Sequence, residues 1–190
     1  MYELASRTPS DWADVALRDF NALLLDHAAC ERKASAVGMS FVVRYPDRPA
    51  LIGPMIQFAR EELEHFHQVY RLLAERGLCL GQDEPDEYVN LLMRVVRTGR
   101  KERFLDRLLT SSLIEARGHE RLGLIAERLE DESLRNFYFR LTRAEGHHKD
   151  LFLEMAYLHF PKETVDVHLK ELIPVEAAAI GAVPFRSALH

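Results

Sequence analysis

One pattern of glutamate and histidine occurs twice in this chain and dictates what it can fold into. The first copy is a lone Glu31 followed by Glu62-Leu63-Glu64-His65. The second is a lone Glu115 followed by Glu145-Gly146-His147-His148. From the lone Glu to the Glu of the Glu-x-x-His is 31 residues in the first copy and 30 in the second. Positions i and i+3 share one face of a helix, so each Glu-x-x-His aims a carboxylate and an imidazole the same way. One Glu from each of two helices, with a Glu-x-x-His from each of two others, is how helical bundles hold a pair of metal ions between carboxylates.

A single Glu-x-x-His carries little weight in a chain with 30 acidic residues and nine His. The agreement between the copies carries more. Glu31 and Glu62 flank the breaker Tyr45-Pro46-Asp47-Arg48-Pro49, lying 16 residues before Asp47 and 15 after it. Glu115 and Glu145 flank Glu130-Asp131-Glu132-Ser133, lying 16 before Asp131 and 14 after it. Antiparallel helices joined by a short turn bring equal counts to equal height. At about 1.5 Å per residue, all four carboxylates stand roughly 21–24 Å from their turns. Coincidence has no reason to produce that twice.

The faces agree as well. Helical steps from Glu31 reach Leu23, Leu24, His27, Ala34, Ser35, Gly38 and Val42, and steps from Glu62 and His65 reach Met55, Phe58, Ala59, Val69 and Leu72. Steps from Glu115 reach Leu108, Ser111, Ser112, Gly118, His119 and Leu122, and steps from Glu145 and His148 reach Tyr138, Leu141, Thr142, Leu151, Phe152 and Met155. The six polar residues therefore lie in apolar stripes that should face a core. An unpaired buried carboxylate is too costly to serve as filler. Four of them facing one another must take up protons or bind cations. His67 and His147 fall off the ligand face. His27 and His119 lie one turn from Glu31 and Glu115 and are expected as satisfied core histidines that could support them.

The period is helical almost throughout. Thr8-Pro9-Ser10-Asp11 is expected to start a short helix, with Thr8 as cap and Pro9 at its first position, running to about Phe20. Long helices are expected over 21–44 and 50–76, with Gly77 as the stop. A medium helix follows to about Arg97, and then long helices over 101–129 and 132–160. A last helix over 162–172 should end near Pro174, with a partly ordered tail. Two hairpins (21–76 and 101–160) joined by a crossover (77–100) give an all-α, ferritin-like four-helix bundle with one long crossover and additional short helices. The chain 1–190 is expected to be one domain, long enough for a core of its own.

Cys30 and Cys79 form no Cys-x-x-Cys and no disulfide framework. Met1 to Asp14 has no apolar leader segment, and the apolar run Ala177 to Val183 is too short to span a bilayer, so a cytoplasmic protein without membrane contact is expected. The net charge of −5 argues against bulk attraction to nucleic acid. Between Arg94 and Arg107, however, Arg94, Arg97, Arg100, Lys101, Arg103 and Arg107 face only Glu102 and Asp106. A solvated helix face explains that run at least as well as a phosphate-contacting patch does.

Four glutamates carry four negative charges, which two ferrous ions would neutralise. Mixed oxygen and nitrogen donors suit iron or manganese. Structural zinc prefers Cys and His, and calcium prefers oxygen alone. By analogy with binuclear bundles, Glu31 and Glu115 each favour one ion, Glu62 and Glu145 bridge, and His65 and His148 each cap one ion.

Three stretches carry a family likeness: Asp26-His27-Ala28-Ala29-Cys30-Glu31-Arg32-Lys33-Ala34, Ala59-Arg60-Glu61-Glu62-Leu63-Glu64-His65-Phe66 and Ser112-Leu113-Ile114-Glu115-Ala116-Arg117. They resemble the MiaE family of tRNA hydroxylases over nearly the whole chain, and all six ligand positions are filled. The resemblance implies a non-haem di-iron monooxygenase that uses oxygen as co-substrate. It would place one hydroxyl on the isopentenyl group of 2-methylthio-isopentenyl-adenosine next to the tRNA anticodon. For a tRNA substrate, the basic run, the densest in this net-negative chain, supplies Arg94, Arg97, Arg100, Lys101 and Arg103 as candidate contacts. No flavin or nicotinamide site is recognisable, so a separate electron-donor protein is implied. No catalytic group beyond the metal ligands is needed, and the sequence is compatible with a monomer.

Related proteins with similar ligands remain as alternatives. A ferritin would assemble into a cage, a rubrerythrin-like peroxidase would carry an added Cys-x-x-Cys pair, and a ribonucleotide reductase subunit would be longer. A manganese catalase would turn over peroxide, and a binding-only bundle would consume no oxygen.

Overall fold

The computed structural model describes residues 2–190; Met1, where the expected domain begins, lies outside the described residues. Among these residues there is no β-strand, and the protein is all-α. No helix among them is long and apolar enough to cross a membrane. The chain divides into two compact units. One is Val15–Glu84 with Arg186–Leu189; the other is the residues up to Asp14, Pro85–Phe185 and His190.

The first unit is a helical hairpin. A short α1 (Trp12–Ala16) and a 3-10 turn (Leu17–Asp19) lead into α2 (Phe20–Arg44), and α3 (Pro49–Glu75) follows. The carboxylate of Asp19 accepts from Ala22 N–H at 3.0 Å and caps α2. Pro49 occupies the first turn of α3, where its missing N–H costs nothing. The two backbones approach closely at Gly38, where an added Cβ would stand 2.9 Å from Phe58 Cδ1 and 3.0 Å from Met55 O. One turn away, Ser35 Oγ donates to Ala59 O across the hairpin at 2.7 Å. Gly77 ends α3 with φ of 69°, and Leu78 N–H reaches back to Leu73 O at 3.0 Å. That left-handed stop is what the sequence led one to expect. The expected helix bounds hold here to within one residue.

The second unit contains α4 (Glu87–Met93), α5 (Arg100–Arg128), α6 (Glu132–Glu145), α7 (His148–His159) and α8 (Lys162–Ala182). Several expectations need correction here. The helix expected over 132–160 is two helices, interrupted by a turn at Gly146–His147. Glycine is among the poorest helix formers, and periodicity alone did not register its cost. The last helix does not stop at Pro174 but runs through it to Ala182. Its continuation is held by Ala179, Ile180 and Val183, which pack with Tyr88 and Leu92, and by Glu176, which is fully buried against Arg117. That packing outweighs the roughly 3 kcal/mol that an interior proline costs. The medium helix stops at Met93 and gives way to looser turns through Val96.

Thr8 is not a helix cap. Its hydroxyl donates to Glu120 Oε2 at 2.7 Å and accepts from Arg117 Nη1 at 3.0 Å, and the helix starts only at Trp12. Arg117 is wholly buried. It donates twice to Glu176, at 2.9 Å each, and also to Ser6 O and Glu120. Tyr88 completes the network by donating to Glu176 Oε1 at 3.0 Å. The N-terminal segment, α5 and α8 are thereby joined by a saturated buried charge pair, the form in which such pairs are tolerated.

A second buried carboxylate, Asp106 on α5, accepts from Arg97 backbone N–H at 2.8 Å and from Arg97 Nε and Nη2 at 2.9 and 2.7 Å, and lies 3.0 Å from His168 Nε2. Burial alone would raise its pKa, but the Arg97 donors prevail and hold the carboxyl below its usual range. A depressed folded-state pKa gives stability that is present above the unfolded value and is lost as pH falls through the folded value. Asp106→Asn should therefore cost about 2 kcal/mol at neutral pH. In urea titrations the gap to wild type should begin to narrow as pH falls below about 4, the unfolded carboxylate value, and close only below the depressed folded value. A gap that persists unchanged into acid would show that the charge is not what matters.

Candidate metal centre

Each unit brings together one lone Glu and one Glu-x-x-His. In the α2–α3 hairpin, Glu31, Glu62 and His65 are buried. His65 Nδ1 stands 3.9 Å from Glu31 Oε2 and 3.8 Å from Glu62 Oε2. In the other unit, Glu145 and His148 are buried and Glu115 is half-buried. His148 Nδ1 stands 3.9 Å from Glu115 Oε2 and 2.7 Å from Glu145 Oε2. Within each triad, one donor atom per residue lies within 4.8 Å of the others. Two anionic carboxylates and an imidazole at that spacing, inside a core, form a donor set for a transition-metal ion of the iron or manganese type.

The triads are matched in sequence but not in backbone. Glu62 and His65 sit in the continuous helix α3. Glu145 is the last residue of α6 and His148 the first of α7, with the Gly146–His147 turn between them. The second pair is the closer one, 2.7 Å against 3.8 Å.

Supporting contacts differ too. His27 Nε2 lies 2.6 Å from Glu31 Oε1, and both are buried. A histidine hydrogen-bonded to a ligating carboxylate fixes its orientation, as outer partners of metal sites do. Four residues before Glu115 the position holds Ser111, not histidine. His119, one turn after Glu115, has its pKa lowered by burial and by Lys149. His67 and His147 are exposed, as their place off the ligand face implied.

Sequence reasoning missed Tyr2. Its hydroxyl pairs with Ser112 Oγ at 2.9 Å, and Ser112 Oγ donates to Lys149 O at 2.7 Å. This ties the N-terminal segment to α5 one turn from Glu115 and to the residue after His148. Burial raises the Tyr2 phenol pKa far above its ordinary value. No motif announces a tyrosine so distant in sequence.

Of the basic stretch, Arg94, Arg100 and Lys101 are exposed and Arg103 is half-buried. Arg97 is exposed, but its guanidinium is occupied by Asp106.

An all-helical fold carrying two such triads is the ferritin-like di-iron carboxylate class. Within that class the chain belongs to the MiaE family: residues 2–190 match the family described as tRNA-(MS[2]IO[6]A)-hydroxylase (MiaE). It is 37% identical over 154 residues to the tRNA 2-(methylsulfanyl)-N(6)-isopentenyladenosine(37) hydroxylase of Pseudomonas putida strain KT2440, covering 81% of this chain and 75% of that protein. It is 32% identical to the enzyme of the same name from Salmonella typhimurium strain LT2, over 68% of this chain and 47% of that protein. Among solved structures, it is similar to "Protein 43 with aldehyde deformylating oxygenase activity from Synechococcus", with a TM-score of 0.94 and 35% identity, over 100% of this chain and 96% of the other.

Proposed function

We propose that this protein is an oxygen-dependent di-iron monooxygenase that hydroxylates the isopentenyl group of 2-methylthio-isopentenyl-adenosine next to the anticodon of tRNA. One observation carries the reading: a chain matched to this family from residue 2 to residue 190 keeps both Glu, Glu, His triads intact. On the same reading, residues 1–190 are one functional domain in which each triad holds one of the two ions.

The donor chemistry fits two irons. Glu31, Glu62 and His65 would hold one ion, and Glu115, Glu145 and His148 the other. When bound, the irons supply the oxidising power that O2 and two electrons generate. The balance is simple: one oxygen atom enters a C–H bond as hydroxyl, and the other leaves as water with two electrons and two protons. A separate electron-donor protein supplies the electrons.

The chain's own residues set the conditions. Four carboxylates offset the charge of the ions. His27 orients Glu31. Met55, Phe58 and Val69 beside the first triad, and Tyr138, Leu141 and Phe152 beside the second, are buried and exclude water. Excluding water protects a strong oxidant from side reactions. Arg94, Arg100, Lys101 and Arg103 are proposed phosphate contacts, with Arg97 contributing mainly through Asp106. The setting is cytoplasmic, where tRNA is found.

The test is direct. The purified, iron-loaded and reduced protein is given oxygen and tRNA bearing the substrate nucleoside, and the nucleosides are analysed by mass spectrometry. A gain of one oxygen atom on the isopentenyl nucleoside, absent without oxygen, is expected. A long-chain aldehyde offered instead should give no product. No nucleoside oxidation by a protein with full iron would reject the reading in favour of a ferroxidase or a manganese catalase-like protein.

A further inference from the structure

The wet face of α6 carries residues that the metal chemistry does not use. Asn136, Phe139, Arg140, Arg143 and His147 are exposed, and Arg135 and Lys149 are half-buried. Asn136, Phe139, Arg140 and Arg143 are three or four residues apart and run along one side of α6, with His147 in the turn beyond it and Lys149 on α7. Phe139 leaves 43% of its surface in water, whereas its neighbours Phe137 and Tyr138 are buried. A ring placed there leaves much of its surface outside the core.

The charge is as unusual as the ring. From Ser133 to Lys149 the only acidic residue is Glu145, which is buried in its triad. Arg140 and Arg143 thus have no acid three or four positions away, while Arg135 has the exposed Glu132 at the helix start, in a chain whose net charge is −5. Among the described residues no ion pair engages the three arginines. Arg97 of the crossover stretch is by contrast tied to Asp106. The strip ends at the Gly146–His147 turn, between the ligands Glu145 and His148.

We infer that this strip binds single-stranded RNA, namely the loop nucleotides of the tRNA substrate that flank the modified one. This rests on the tRNA reading above and extends it to a surface. Sequence-tolerant binding of single strands combines an aromatic platform, on which a base stacks, with cations that follow the phosphates. RNA loops present such unstacked bases, and arginine planes stack on them as well. Phe139 is the platform, and Arg140 and Arg143 are the phosphate contacts on either side of its helical turn. A helix face whose exposed acids, Asp131 and Glu132, are confined to its start attracts polyanions along the rest of its length despite the overall charge, because screening confines the field to about 10 Å at ordinary salt.

The experiment is tRNA binding by fluorescence anisotropy at several salt concentrations, with iron-loaded wild type, Arg140→Ala/Arg143→Ala, Phe139→Ala, Phe139→Trp and Arg100→Ala/Lys101→Ala. Iron content and melting temperature should match wild type in every variant. The double arginine variant should bind at least tenfold more weakly, with a salt slope flatter by about 1.4, since each single-strand phosphate contact contributes about 0.7. Phe139→Ala should weaken binding about tenfold with the slope unchanged, and Phe139→Trp should restore it. Wild-type affinity and slope in both strip variants would overturn the inference, whether or not Arg100→Ala/Lys101→Ala weakens binding. So would normal tRNA binding with a loss only of reduction by the electron-donor protein, which would make the strip a protein-docking face. Failure of wild type itself to bind tRNA would overturn the tRNA reading as well.

Discussion

Glu115→Ala will purify as a folded helical protein that holds at most one iron per chain, and it will hydroxylate no tRNA. Glu115 is the lone carboxylate of the second triad, with Oε2 3.9 Å from His148 Nδ1. Its loss removes the one carboxylate assigned to that ion alone, which should weaken the hold on it against competition from water and buffer. The fold should tolerate the change. Position 115 lies in the middle of α5, alanine is the best helix former, and one negative charge is removed from a crowded site. Helicity by circular dichroism should therefore stay near wild type while metal content falls. Glu127→Ala, at an exposed position of the same helix, is the control and should keep two irons. Two irons per chain and ordinary turnover in Glu115→Ala would mean that the ligands have been wrongly assigned.

The positions of these residues were legible in the sequence because they obey two periodicities at once. The i, i+3 spacing fixes a shared face, and the near-equal intervals of 31 and 30 residues fix a shared height on two hairpins. Both are local rules of helix geometry, so α2, α3 and α5 appear within about one residue of expectation. Gly77 was legible for a related reason: a left-handed stop is the glycine conformation that other residues rarely take.

What escaped was decided by partners distant in sequence. Pro174 reads as a terminator, yet α8 passes through it because Glu176 lies two residues beyond and must meet the buried Arg117. Thr8 reads as a cap, but Glu120 and Arg117, more than a hundred residues away, claim its hydroxyl. Arg97 reads as one more surface cation, although it is bound to Asp106. The turn at Gly146–His147 was visible as a glycine but not as a break, because apolar periodicity continues across it. The strip of Phe139, Arg140 and Arg143 went unremarked for the opposite reason. Arg135, Arg140 and Arg143 are separated by uncharged residues and form no run, and only the helix lines Phe139, Arg140 and Arg143 up.

Removing the metal will lower the melting temperature by on the order of 10 °C at neutral pH. A ligand that binds only the folded state stabilises it by roughly 4 kcal/mol when its free concentration is a thousand times its dissociation constant. Each kcal/mol moves the midpoint by about 2–4 °C in a protein of this size. The apo state has a further penalty, since buried carboxylates left without cations repel one another. Protons compete with metal for the same oxygens, so the difference between holo and apo curves should shrink as pH falls toward the carboxylate range near about 4. If the carboxylates are the source, Glu62→Gln/Glu145→Gln should melt above apo wild type at neutral pH while binding no iron. Scanning calorimetry with and without chelator, on samples whose metal content is measured, decides the matter. Coincident curves after verified removal would place the ions, if any, outside the buried triads. A stabilised double glutamine variant that still gained stability from iron would show that other donors hold it.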